Sequence, residues 1–150
     1  MSMALYVRSV GERSDGELLA EAERLVRVSC RANAELIAHL AEISRRKAYL
    51  PEYTSLWMYC VKGLGLSEGQ VHMRTQVANA CLRFPAILDS LAMGRMSLTV
   101  ASRVVPYLSE ENWVGVIGEC EGMTRREVDV YVVRFKERGE LASGIRRGKK

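Results

Sequence analysis

One uninterrupted helical pattern, from Ser14 to about Arg46, constrains this chain more than any other feature. Ser14 and Glu17 have capping-box spacing, so each side chain satisfies a free amide at the helix start. Leu19, Ala22, Val26, Cys30, Ala34, Ile37 and Ala41 recur on one stripe. Leu18, Leu25, Leu36, Leu40 and Ile43 widen it to an adjoining face. Arg45, Arg46 and Lys47 suit the negative end of the helix dipole, and Pro51 marks a break. So long a helix with so wide an apolar face exceeds what a small neighbour covers. It either packs along the whole domain or pairs with a second copy of the chain.

The rest of the sequence is helical in the same way. No sustained period-2 alternation stands out, and there are only 3 Pro and 2 Phe. Thr54 or Ser55 caps a short second helix, ended by Gly63 and Gly65. Ser67, with Gln70 three residues on, opens a third that runs through about Arg83. Pro85 fits the first turn of a fourth, ended by Gly94. Ser97 opens a fifth, and Ser109, with Asn112 three residues on, a sixth. Thr124 and Glu127 form a further capping box and open the last, through about Arg138. That start signal overrides the β-branched VDVYVV run behind it. At 150 residues, 48% of them hydrophobic, the chain has enough for one domain with a real core. The expected fold is all-α: a compact multi-helix domain with a long N-terminal helix and a central helix-turn-helix-like unit. Its expected parts are a flexible N-terminus (1–13), a single helical domain (14–138) and a basic flexible tail (139–150).

Several function classes find no support. The four cysteines (Cys30, Cys60, Cys81, Cys120) form no C-x-x-C pair, and the two histidines, His39 and His72, have no ligand beside them, so no metal is expected. Cys60 and Cys81 fall on apolar helix faces and read as core. Trp57 and Trp113 read as core anchors, as do most of Met58, Met93 and Met96, whereas Met73 reads as exposed. GLGLSEG lacks the lysine and the preceding strand of a phosphate loop. No nucleophile–base arrangement is visible, and Glu110–Glu111 and Glu119–Glu121 read as solvated carboxylates. MSMALYV is too short for a signal core, and no apolar run reaches membrane-spanning length. The expectation is a cytoplasmic protein, not an enzyme, with no cofactor, no membrane partner and no small-molecule substrate.

The stretch from Tyr53 to Pro85 carries the most meaning. A short helix, a glycine-bearing turn and a second capped helix follow in tight succession. Gly65 supplies the left-handed backbone the turn needs; Leu66 and Val71 anchor the second helix against the first. The start of that helix is then free to enter a major groove. Ser67, Gln70, His72, Met73 and Gln76 would face bases. Lys62, Arg74 and Arg83 would contact phosphates. Glu68 sits there too, where it repels phosphate, accepts from cytosine or favours the helix start. Arg125 and Arg126 occupy the first turn of the last helix, against its dipole, and form a further anion-contact candidate. The net charge of +4 permits nucleic-acid binding without establishing it.

The region also resembles the N-terminal helical domain of a group of bacterial HNH-endonuclease proteins. The resemblance rests on Tyr53, Ser55, Leu56, Tyr59, Cys60 and Val61, then Leu66, Ser67, Glu68 and Gly69. It continues through Arg83, Phe84, Pro85, Ile87 and Leu88, and through Gly94, Ser97, Leu98, Thr99, Ser109, Glu110, Glu111 and Asn112. It covers roughly Ser14 to Arg138. Residues Gly65 to Thr99 resemble, more weakly, the helix-turn-helix of partition proteins. The HNH module that follows in the family has no counterpart in this sequence, so the resemblance does not carry nuclease activity. Thr75 departs from the family's usual aliphatic residue. The capped helix-turn-helix, the basic balance and tail, and this resemblance together lead to the expectation of a duplex-DNA-binding protein, such as a small transcriptional regulator, and the wide apolar face of the long N-terminal helix adds the expectation of a homodimer through it. The alternative is a protein–protein interaction module or adaptor without nucleic-acid binding.

Overall fold

Ser14 does what its spacing requires: its hydroxyl accepts from the Glu17 amide at 3.2 Å, and helix α2 runs from there over Asp15–Arg46. It stops where Lys47 turns to φ 55°, closing the last turn through bonds to the Ile43 and Ser44 carbonyls. The computed structural model describes residues 2–148, with side chains described through 138. Seven further α-helices appear among these residues. α1 is Met3–Gly11. α3 is Leu56–Met58, continued by a wider turn over Tyr59–Gly63. α4 is Glu68–Cys81, and α5 is Ala86–Ala92. α6 is Leu98–Val104, continued by a tighter turn over Val105–Tyr107. α7 is Trp113–Cys120, and α8 is Arg125–Gly148. No strand occurs among the described residues.

Serine caps place most of these starts. Ser55, Ser67 and Ser97 each accept from the amide three residues on. Ser67 and Gln70 complete a reciprocal capping box. Thr124 and Glu127 do the same for α8, at 3.2 and 3.4 Å. Ser109 and Asn112 make the same reciprocal exchange: Asn112 Oδ1 accepts from the Ser109 amide at 2.8 Å, and Ser109 Oγ accepts from the Asn112 amide at 3.2 Å. The Asn112 side-chain amide also donates to the Tyr107 carbonyl at 3.0 Å. The Ser109–Asn112 pair therefore closes a turn, and the helix begins only at Trp113.

Helix also occupies both ends of the described chain. Ser2 caps the first turn by accepting from the Leu5 amide, and residues 3–11 are helical. The backbone of α8 continues to Gly148, into the stretch read as a tail. The side chains of 139–150 lie outside the described residues.

The core is a stack built on the second half of α2. Ile37 and Leu40 are fully buried, with Ala34 and Ala41 beside them. α4 and α5 pack on this face, α6 packs on α4, and α8 packs on α6. Val71, Val77, Ile87, Val100, Val104 and Val128 fill the space between. The first half of α2 receives no such cover: Leu19, Leu25, Val26 and Val28 are all exposed. The long helix packs along only half of its length.

Most apolar assignments hold, and three do not. Leu82, just past the end of α4 at Cys81, is exposed, and Phe84 fills the core instead. Trp57, Met58 and Met93 are exposed, while Met96 is buried and Trp113 half-buried.

Cys60, Cys81 and Cys120 are buried free thiols, and Cys30 is partly exposed. Burial pushes the first two above the ordinary thiol value of 9.0. Burial, reinforced by the Glu119 charge, pushes Cys120 to about 11. Burial and a hydrogen bond to Glu119 raise Tyr131 to about 12. A folded-state pKa above the unfolded one stabilises the fold fully below the unfolded value, and that contribution disappears as pH rises through the folded value. The urea midpoint is therefore expected to fall as pH rises from 9.0 towards 11. At neutral pH a thiol reagent should label Cys30 alone in the folded protein and all four cysteines after unfolding. Fast native labelling of Cys120 would contradict this packing.

Candidate nucleic-acid interface

α3 and α4 form the expected pair of helices. The connection is short because the wide turn at Tyr59–Gly63 closes on itself: the Leu64 amide bonds to the Tyr59 carbonyl and the Leu66 amide to that of Cys60, both at 3.0 Å. A side chain at Gly63 would meet the Tyr59 and Tyr53 rings at 3.0 to 3.2 Å. Gly65 adopts φ 70°, the left-handed conformation that costs other residues about 1 kcal/mol or more. Val71 is fully buried and Leu66 half-buried against the core, so both anchor α4 as expected.

The surface α4 leaves open is narrower than its polar residues imply. Glu68, Gly69, Gln70, His72, Asn79 and Arg83 are exposed. Ser67 and Gln70 are also exposed, but their side-chain oxygens serve the capping box, which leaves the Gln70 amide NH2 to face outward. Met73 is half-buried, its sulfur 3.7 Å from the Thr99 hydroxyl. Gln76 is half-buried too, because α6 and the Val105–Tyr107 turn pack beside it. Thr75 bonds back to the Val71 carbonyl at 2.8 Å, which satisfies its hydroxyl within the helix.

The three cations assigned to phosphate divide. Lys62 is exposed. Arg74 turns inward: its Nε donates to Asn33 Oδ1 at 3.0 Å, and its half-buried guanidinium ties α4 to α2. That correction follows from the register of α4, which puts residue 74 on the side facing α2. Arg83 is exposed, donates to Glu110 at 2.8 Å and lies 4.8 Å over the Phe84 ring. An ion pair so exposed contributes under about 1 kcal/mol, so Arg83 can exchange partners. Arg125 and Arg126 are exposed on α8, with Arg125 4.0 Å from Asp129.

Beside α4 runs an open groove whose other residues come from distant parts of the chain. One section, of about 310 Å³, lies between His72, Met73 and Gln76 of α4 and Asp129, Val132 and Lys136 of α8, with Thr99, Ser102, Arg103 and Tyr107 as floor. The next section, of about 340 Å³, continues past Gln76 and Pro106 to Asn79, Arg83 and Phe84. Arg103 donates to Asp129 at 2.9 Å, joining α6 to α8, while its buried Nε has no partner. Gln76 and Asn79 thus lie between cations: Arg103 and Lys136 at one end, Arg83 at the other.

Charge is distributed unevenly along the chain. Residues 125–150 hold nine Lys and Arg against four Asp and Glu, whereas residues 1–124 hold 13 against 14. The whole positive excess belongs to α8 and the residues after it. Arg134 stacks 4.1 Å over Tyr131, and Arg138 lies 6.0 Å over Phe135, so two of these cations rest on aromatic rings. Arg126 and Lys136 are exposed and make no ion pair among the described residues. The sequence reading missed Arg103, Tyr107 and Lys136. The charge count by segment was the available signal for the last; nothing local marks the first two.

No family model matches the chain, and no curated protein or solved structure matches it either.

Since a Cβ on Gly65 would meet nothing within 4 Å, its cost is conformational alone. Gly65→Ala is expected to lower stability by about 1 kcal/mol, read from urea unfolding. Arg74→Ala is expected to cost more, about 1–3 kcal/mol, because it removes the bond to Asn33. An Arg74→Ala protein as stable as the parent would show that this contact does not hold α4.

Proposed function

We propose that this chain binds duplex DNA, with α8 as the phosphate-contacting element and the open face of α4 as the side that meets the groove. The observation that carries the reading is the juxtaposition just described. Lys136 of α8 and Arg103 of α6 stand across one open groove from the amide- and imidazole-bearing face of α4, and α8 with the residues after it holds the sequence's excess positive charge. Cations supply affinity through counterion release, and His72, Asn79 and the Gln70 amide supply hydrogen-bonding groups for base edges. Because Met73 and Gln76 are half-buried, few groups remain to read sequence. Binding is therefore dominated by backbone contacts, with modest base discrimination. The resemblance to the HNH-endonuclease N-terminal domains points the same way, and a small regulator remains the role proposed for such binding.

Arg126 and Lys136 make the cleanest test, since neither holds another element in place. Binding to mixed-sequence duplex should weaken steeply with salt. Each phosphate contact contributes a slope of about −0.9 in log K against log salt. Arg126→Ala with Lys136→Ala should reduce that slope by about 2 and weaken binding equally on all sequences. His72→Ala with Asn79→Ala should leave the slope unchanged and narrow any preference among sequences. Absence of a shift with duplex at low salt would overturn the proposal and favour an adaptor that binds protein alone.

A further inference from the structure

The groove section between α4 and α8, of about 310 Å³, is a concave recess at the lower end of the size range of small-molecule sites, roughly 300–1,000 Å³. The hydroxyls of its floor are spent on the fold. Ser102 donates to the Thr99 carbonyl at 2.8 Å, and the Thr99 hydroxyl turns to the Met73 sulfur. Hydrogen bonding to a guest therefore falls to Gln76 and His72 of α4, Arg103 of α6 and Lys136 of α8. Arg103 commits Nη1 to Asp129, while its buried Nε has no partner, so the guanidinium keeps donor capacity in reserve. Lysine and arginine carry donors and no acceptor, so what they hold is acceptor-rich.

We propose that this recess binds a small phosphate monoester with an apolar body. Charge favours that guest. Asp129 is the only acid among the lining residues. Arg103 holds it at 2.9 Å, and Arg125 reaches it from 4.0 Å. Arg103, Arg125 and Lys136 against one carboxylate leave two positive charges unbalanced at this end of the groove. A phosphate monoester carries about −1.5 to −2 charge at pH 7 and three strong acceptor oxygens, which matches both the charge and the donor-only side chains. A DNA backbone phosphate carries a single charge and matches less well. Shape favours an apolar body. Met73, Pro106, Val132 and the Tyr107 ring wall the recess, and that ring is fixed by stacking on Phe135 at 5.5 Å. The Gln76 amide stands beside this wall. Such a site goes beyond the backbone contacts proposed for duplex DNA and does not depend on them.

Titration calorimetry of the intact chain with phenyl phosphate tests the proposal. It needs no DNA, so its failure is distinguishable from failure of the duplex-binding reading. Phenyl phosphate is expected to bind with a Kd of about 1 mM or tighter. Inorganic phosphate lacks the apolar body and should bind at least about threefold more weakly. Dimethyl phosphate, a diester with one charge, should likewise bind at least about threefold more weakly. Lys136→Ala should weaken phenyl phosphate about tenfold. Lys136 is exposed, so circular dichroism and the urea midpoint should be unchanged, which separates lost binding from lost fold. In ¹H–¹⁵N spectra the Gln76 side-chain amide should shift as phenyl phosphate is added. No binding up to about 10 mM, equal affinity for the diester, or an affinity indifferent to Lys136→Ala would each overturn the proposal.

Discussion

Burial of Ile37 and Leu40 against α4 and α5 is the interaction on which the remaining structure depends. Each fully buried aliphatic side chain contributes about 1.5–3 kcal/mol relative to exposure, and these two sit where the stack begins. α4 is held from one side by that face and by the Arg74–Asn33 bond, and from the other by α6. α8 then rests on α6 through Val128 and Val132 and through the Arg103–Asp129 pair. The position of α8 relative to α4 is therefore inherited from α2 through two intermediate helices.

That chain of packing gives the groove its character. α4 and α8 are 57 residues apart at their starts, yet they form opposite walls of one cavity because α6 and the Val105–Tyr107 turn hold them apart as a floor. The same floor removes Met73 and Gln76 from free exposure. A helix-turn-helix whose second helix stood alone would present more of itself to a partner. Here its first turn and one polar edge are presented, and the cations come from elsewhere.

One amphipathic pattern runs through both halves of α2, covered in the second and open in the first. Its stripe runs continuously from Leu18 to Ile43, with no change in composition at the point where intramolecular cover ends. Periodicity reports that a face is apolar, not what lies on it. The same limit explains Leu82 and Met73, whose wheel positions are right but whose neighbours are decided by where α4 ends and where α6 packs. Arg74 is a related case: its residue type points to phosphate, its register to Asn33.

Local chemistry written in the sequence determined the helical fold and most helix boundaries, because serine and threonine caps and left-handed glycines act within three or four residues. Ser14, Ser55, Ser67, Ser97 and Thr124 each open a helix where their spacing placed it, and Cys60 and Cys81 are buried as their faces required. Ser109 is the exception: its reciprocal pair with Asn112 closes a turn, and the helix begins at Trp113. Tertiary structure alone decided which half of α2 is covered, that Arg103, Tyr107 and Lys136 share a groove with His72, and that Arg74 faces inward. Those outcomes depend on distances between elements far apart in the chain, which no local propensity encodes.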